Sequence, residues 1–277
     1  RRDLPADLVT VDDRPLAGPA LARVLAHLDR VRALAGIDHK AWVASRNDFP
    51  AGTGLASSAS AFAALSLAAT RAAGLWLDEA ALSQLARLGS GSACRSVPAG
   101  FCLWEGEDDE TSYARQVAPA EHWNLTDVVA IVSREHKPVG SHDGHSLAPG
   151  SPFYAARLAA VPGWLADAGR GIRQRNLDLL GPAAEADALA MHGVMLTSQP
   201  PLLYWEGGTL AVLKAVPDWR REGLDVYFTM DAGPNVHCLC LAATAAEVEG
   251  RLRRLGVPEV VVSGPGQGVR LVDHYLF

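Results

Sequence analysis

Residues 47–67, NDFPAGTGLASSASAFAALSL, restrict what this chain can fold into more than any other segment. A turn containing Pro50, Gly52 and Gly54 runs into the small residues Ala56, Ser57, Ser58, Ala59 and Ser60, which continue as an alanine-rich apolar helix. Glycines let consecutive N–H groups converge on one cluster of oxygens. The helix that follows adds unpaired donors and the positive end of its dipole. Serine hydroxyls at the helix start can reach a phosphate or a metal ion carried on it. The segment is therefore expected to hold the phosphates of a nucleotide; a capped core helix after a tight turn is the alternative that the same pattern allows.

Composition narrows the partners. The 277 residues carry a net charge of -6 and no long basic run, which argues against nucleic acid, so a bound polyanion has to be met by local donors and an ion. The 49% hydrophobic content is ample for a packed core in one large domain or two. No apolar run approaches the roughly 18 residues of a membrane span, and no signal peptide is visible after Arg1-Arg2-Asp3, so a soluble cytoplasmic protein is expected. Cys94, Cys102, Cys238 and Cys240 form no CxxC pair and read as reduced buried thiols, Cys238 and Cys240 sharing one face of a strand. His142 and His145 make an H-x-x-H that fits a metal site or, more commonly, hydrogen-bonded loop histidines. The seven tryptophans follow no common spacing and read as packing.

Taken in order, residues 8–11 are extended, and Leu21, Val24, Leu25, Leu28, Val31 and Leu34 recur at helical spacing after Pro19 until Gly36 ends the run. Residues 41–44 predict a strand. Asp78 caps a helix that carries Leu82, Leu85 and Leu88 and stops at Gly89. Strands are expected at 100–105 and 127–133 with an acidic turn at 107–110 between them, then a polar loop at 140–145. Ser151 followed by Pro152 marks the start of a helical region reaching to about residue 196. The second half continues with a strand at 225–230, a turn at 231–235, a strand from His237, a helix with a Thr244–Glu247 capping box, and strands at 260–262 and 269–272. Strands and helices in irregular alternation predict an α+β protein, with a domain boundary near Arg134.

The glycine turn is neither a Walker A sequence nor GxGxxG. Pro50, Gly54, Leu55, Ser57, Ser58 and Ala59 fill every fixed position of P-x-x-x-G-L-x-S-S-A, and the turn resembles the phosphate loop of the GHMP small-molecule kinases. Gly89-Ser90-Gly91-Ser92-Ala93-Cys94-Arg95-Ser96 and Met230-Asp231-Ala232-Gly233-Pro234-Asn235 resemble the substrate and catalytic signatures of the mevalonate diphosphate decarboxylases, including relatives that act on the monophosphate. The resemblance runs in order from about Asp12 to the C-terminus. It implies a two-domain GHMP kinase fold: an N-terminal α+β domain, 1–133, with the ATP loop, and a C-terminal α/β sandwich of ferredoxin-like type, 134–277. It also implies ATP and Mg²⁺ as cofactors, a phosphorylated mevalonate as substrate, and a homodimer. Family members open with a strand and a loop of the type H-x-N-x-A-x-x-K-Y-W-G-K. Residues 1–19 do not match it, so by that comparison the sequence begins inside the first domain; an omitted N-terminal part is expected in preference to a truncated, inactive relative, since a domain lacking its first strands exposes a sheet edge.

The reaction so implied phosphorylates a tertiary alcohol and then decarboxylates. A tertiary hydroxyl is a poor nucleophile and needs a base or orienting acceptor, while the phosphoryl group needs Mg²⁺ and fixed donors. Asp231, where a strand ends in an Ala-Gly-Pro turn, is the candidate for the hydroxyl's partner; capping its own turn is the competing role. Arg95 is the candidate for the substrate carboxylate, because guanidinium offers two parallel donors and holds its proton; a surface arginine on a helix-ending loop is the plainer reading. Ser90 and Ser92 are assigned to the 5-phosphate, with Ser141 a further candidate. Gly52, Gly54, Leu55, Ala56, Ser57 and Ser58 are assigned to the nucleotide phosphates, and Ser58 also to the metal ion. Asn47 and Ser45 are candidates for nucleotide contact, although Arg46 and Asp48 stand where the family has an acidic residue and a second asparagine. A kinase of the same fold that stops at phosphorylation has no need of Arg95, and a non-catalytic relative has no need of Asp231; both remain alternatives. The segment 140–150 departs from the form of the diphosphate enzymes, which favours the monophosphate.

Overall fold

The computed structural model describes residues 4–48, 57–135 and 141–273, with the side chains of 141–143 excepted. The chain is α+β and parts into two compact units, one from 4–48, 57–120 and 266–273, the other from 121–135 and 141–265. Among the described residues no helix is long and apolar enough to cross a membrane.

In the first unit β1 (Leu8–Val11) pairs antiparallel with β2 (Arg14–Pro15) and parallel with β3 (Trp42–Ser45). The parallel pairing requires a crossover, supplied by α1 (Gly18–Ala35). Pro19 sits in the first turn of α1, and Gly36 closes it in the left-handed conformation, φ +63°, its N–H returned to Arg32 O. Next come α2 (Ser57–Ala72) and α3 (Glu79–Gly89), the latter capped as expected by Asp78, whose carboxylate accepts from Ala81 N at 2.8 Å. A short 3₁₀ turn (Gly91–Ser96) leads to the hairpin of β4 (Phe101–Glu105) and β5 (Tyr113–Ala118). Phe62, Ala63, Leu67, Leu82, Ala86, Ala93 and Val97 pack α2, α3 and the 3₁₀ turn into one core. Gly89 is required by that packing, since a Cβ there would fall 2.1 Å from the Phe62 ring. Residues 269–272, expected as a strand, are irregular: Gly268 takes φ +70° against the Val97 carbonyl, and one bond, Val269 N to Val97 O at 3.1 Å, replaces a ladder.

The second unit is built on an antiparallel sheet in the order β7-β8-β6-β9, from β6 (Leu125–Ile131), β7 (Val226–Thr229), β8 (Val236–Leu241) and β9 (Glu259–Ser263). The strand expected just before Arg134 is thus a central strand of this sheet. One face, with Val128, Ala130, Val226, Phe228, Val236, Cys238 and Cys240, is buried under α7 (Gly207–Arg221) and α8 (Ala245–Arg254). The two strand cysteines therefore share the core face, and all four cysteines are free thiols. The long pair α5 (Tyr154–Gln174) and α6 (Leu177–Thr197) flanks edge strand β7, where Glu185 accepts the Phe228 N–H at 3.1 Å and pairs with Arg220 at 2.5 Å. An outward N–H of an edge strand is satisfied in this way.

Local signals misplaced several elements of this unit. The expected polar loop at 140–145 contains α4 (Ser141–Leu147), a short helix without an apolar stripe; tertiary packing forms it, with Gly144 against Tyr204, Met195 and Leu202. Ser151 does not open α5 directly. Its hydroxyl accepts from Phe153 N at 3.1 Å and contacts Thr197 Oγ1 at 2.6 Å, and the helix begins at Tyr154. The Thr244–Glu247 capping box is not formed, because Thr244 Oγ1 donates back to Leu241 O at 3.1 Å. Helix α7 had no expected counterpart; its capping box uses Glu206 and Thr209 in place of the usual Ser/Thr and Glu/Gln order.

Candidate active site

In the first unit two stretches assigned to different ligands come into contact. Gly52, Gly54, Leu55 and Ala56 lie outside the described residues, but the helix they lead into, α2, opens with Ser57 and Ser58, and the exposed Ser58 Oγ lies 3.0 Å from Ser90 Oγ. Ser90 caps the C-terminus of α3, its N–H donating to Ala86 O at 3.1 Å, and from it the 3₁₀ turn carries Ser92 and Arg95. The turn is held from three sides. The fully buried Ser83 hydroxyl donates to Cys94 O at 3.0 Å and accepts from Ala114 N at 2.9 Å, tying α3, the turn and β5 together. The Cys102 thiol donates to Arg95 O at 3.1 Å, and Arg23 of α1 donates to Gly89 O at 2.9 Å. Arg95 itself is exposed, and among the described residues no carboxylate forms an ion pair with it. Burial pushes the Cys94 and Cys102 thiols up despite the nearby Arg95 charge, so neither supplies a competing anion at neutral pH.

Asn47 and Ser45 are engaged in bracing the strand ends. Asn47 donates its backbone N–H to Asp12 Oδ1 at 2.9 Å and its amide to Asp12 Oδ2 at 3.2 Å, bonds that hold the Asp12 carboxyl below its usual range. Ser45 O accepts from Asp12 N at 2.9 Å. Contacts of either residue with a nucleotide stay an expectation.

In the second unit Asp231 is exposed at the head of the turn between β7 and β8, and the turn is fixed through backbone atoms. His192 Nε2 donates to Asp231 O at 3.1 Å; burial pushes the His192 pKa down, more than the Asp231 bond and charge push it up, so the ring is neutral. Thr209, at the start of α7, donates to Pro234 O at 2.6 Å. The buried Asn235 carries on where the β6–β8 ladder ends: its Oδ1 accepts from Val132 N at 2.7 Å and Ser133 N at 3.1 Å, and its Nδ2 donates to Ser133 O at 3.2 Å. The carboxylate of Asp231 is thus presented on a backbone held from both sides, and among the described residues its side chain makes no hydrogen bond. Sequence reading named Asn235 only as part of a motif and missed His192, Thr209 and Ser83. The signal for Ser83 is its place in the buried helical phase of Leu82, Leu85 and Ala86; His192 carried none.

Ser141 begins α4, and its side chain, like that of His142, lies outside the described residues. Among the described residues no group of three or more His, Cys, Asp or Glu could hold a metal ion. A hydroxyl in the first turn of a sixteen-residue helix, as Ser58 is, suits an ion carried on a nucleotide phosphate rather than a resident metal centre.

Two family models match the chain, the diphosphomevalonate decarboxylase-like N-terminal domain over residues 1–114 and the mevalonate 5-diphosphate decarboxylase C-terminal domain over 127–262. The diphosphomevalonate decarboxylase of Bos taurus is 37% identical over 231 residues, which are 80% of this chain and 57% of the bovine protein. The phosphomevalonate decarboxylase of Haloferax volcanii is 32% identical over 277 residues, covering 99% of this chain and 84% of that protein. The crystal structure of mevalonate diphosphate decarboxylase from Staphylococcus aureus superposes with a TM-score of 0.92 at 35% identity, covering 99% of this chain and 84% of that one. The structure of MDDEF in complex with MVAPP, AMPPCP and magnesium gives a TM-score of 0.91 at 35% identity, covering 99% and 85%. With both signature stretches seated on this fold, the chain belongs to the diphosphomevalonate decarboxylase family.

Proposed function

We propose that this protein catalyses the ATP-dependent decarboxylation of a 5-phosphorylated mevalonate. The γ-phosphoryl group passes to the C3 hydroxyl, giving ADP. The C1–C2 bond then breaks, its electron pair forms the C2–C3 double bond, and phosphate leaves C3, yielding carbon dioxide, phosphate and an isopentenyl product. The observation that carries the reading is the 3.0 Å approach of Ser58 to Ser90, which puts the head of the phosphate-loop helix against the substrate loop.

In this reading Ser57 and Ser58 face the nucleotide phosphates together with Gly52, Gly54, Leu55 and Ala56, and Ser58 also faces the metal ion. Magnesium supplies charge neutralisation on the phosphates when bound. Ser90 and Ser92, with Ser141, bond the 5-phosphate. Arg95 clamps the carboxylate of the substrate through its two-pronged donor and, being unable to act as an acid, lets it depart as neutral carbon dioxide. Asp231 accepts or orients a C3 hydroxyl proton. Asn47 and Ser45 border the nucleotide. The nucleotide loop is assigned to a domain of residues 1–133 and Asp231 to a domain of residues 134–277. The free state of all four thiols supports a cytoplasmic location, and the assembly proposed is a homodimer.

The test supplies the full-length protein with ATP, Mg²⁺ and either mevalonate 5-phosphate or 5-diphosphate, and follows ADP and carbon dioxide together. Equal release of both with one substrate supports the reading. ADP with a stable phosphorylated acid and no carbon dioxide assigns a kinase, and no ADP with either substrate overturns an enzymatic role. Relatives of both substrate types resemble the chain, so the two arms also decide between mono- and diphosphate.

A further inference from the structure

Arg95 lies over the ring of Trp104, its guanidinium carbon 5.6 Å from the ring centroid. Trp104 stands on β4 two residues beyond Cys102, on the same face of that strand, and this face packs against the 3₁₀ turn. The ring is not free to swing. Its indole N–H donates to the buried Ser112 Oγ at 2.8 Å, and its far edge reaches the turn at Gly91, where even a Cβ would come within 3.6 Å. An anchored aromatic wall therefore stands beside an exposed arginine that no described carboxylate pairs with.

We propose that Trp104 is the positioning residue for Arg95, holding its guanidinium by cation–π attraction so that the in-plane N–H donors face the carboxylate of the substrate. The geometry suits that division of labour. Cation–π attraction acts on the charge of the guanidinium and leaves N–H groups directed away from the ring, and a carboxylate is bound by two such parallel N–H groups. One interaction does not exclude the other. An arginine on a turn would otherwise have to give up the freedom of a long side chain each time substrate binds, and the ring removes part of that cost beforehand. The inference rests on the proposed role of Arg95 as carboxylate clamp and adds the residue that aims it.

The test is a double-mutant cycle on kcat/KM for carbon dioxide release, with the substrate that turns over, using Trp104→Leu, Arg95→Lys and the double variant. Trp104→Leu is expected to lower kcat/KM by about ten-fold or more, the order of loss for a misplaced catalytic contact. In the Arg95→Lys background the same change is expected to cost less than about three-fold, because lysine's point charge has no plane to orient. Trp104→Phe, which keeps a ring face, is expected to recover most of the loss. Ser112→Ala, which frees the indole edge without touching the pair, is expected to lose a few-fold through KM. Losses that add across the cycle, or a Trp104→Leu enzyme as active as the parent, overturn the positioning role; the Ser112→Ala arm decides it if Trp104→Leu does not fold. An Arg95→Lys enzyme with unchanged kcat/KM overturns the clamp itself, a result distinguishable from failure of Trp104 alone.

Discussion

His27 makes the stability of the first unit sensitive to acid. The ring is fully buried in α1, edge-on to Phe62 at 5.3 Å, with Nε2 2.9 Å from the Ser66 hydroxyl of α2 and Nδ1 without a partner among the described residues. Ser66 in turn donates to Phe62 O at 2.6 Å, so the contact ties α1 to α2. Burial, with a further push from Arg30, lowers the His27 pKa from 6.5 to about 4. Above pH 6.5 the ring is neutral in both folded and unfolded chains and contributes no pH dependence. As the pH falls below that value the unfolded chain takes up a proton that the folded one refuses, so stability drops until the folded pKa is reached. A shift of this size corresponds to roughly 3 kcal/mol in full, of which about 2.5 kcal/mol is lost between about pH 7.5 and about pH 4.5. Urea unfolding of the parent and of His27→Gln at those two pH values measures it, because every other titrating group is common to both and cancels in the difference. The parent is expected to lose about 2.5 kcal/mol more than the variant, a large fraction of a domain's stability. Parallel losses would show that the buried ring accepts its proton in place, and burial could then not be what keeps His27 neutral.

Asp231→Asn is expected to abolish both ADP and carbon dioxide release while ATP binding persists; carbon dioxide from this variant would remove Asp231 from the mechanism. Gly181→Ala is expected to destabilise the protein by about 1–3 kcal/mol in thermal unfolding. Its Cβ would fall 2.1 Å from the Tyr227 ring, which is held by Asp178 at 2.9 Å and by Arg220 at 4.3 Å, and a melting temperature equal to the parent's would mean that the ring moves. His237 is pushed down by burial but up, and on balance up, by the Asp127 carboxylate 2.7 Å away. Its stabilising contribution is therefore complete below pH 6.5 and lost as the pH rises through its raised folded value. His237→Asn is expected to flatten the alkaline side of the stability profile, and profiles that stay parallel above neutral pH contradict the pairing.

What could be read from the amino-acid order is what short-range chemistry dictates. The Gly36 stop of α1, the Asp78 cap of α3, the strand with Cys238 and Cys240 on one buried face, and the two signature stretches all depend on residues a few positions apart. Periodicity and capping report on such neighbours directly. Where the free energy comes from residues distant in sequence, local patterns were silent or misleading. Helix α4 has no stripe and forms against Tyr204 and Leu202, and Thr244 prefers a carbonyl behind it to the glutamate ahead. The Ser58–Ser90 contact, the Ser112–Trp104–Arg95 chain and the hold of Asn235 on the end of β6 likewise span 8 to 103 residues. The sequence by itself determined which side chains are available for chemistry and where the chain turns. Only the tertiary structure decided which of them touch, because the orientation of a hydroxyl, a ring or a guanidinium is set by whatever the fold packs beside it, and that neighbour is seldom the next residue along.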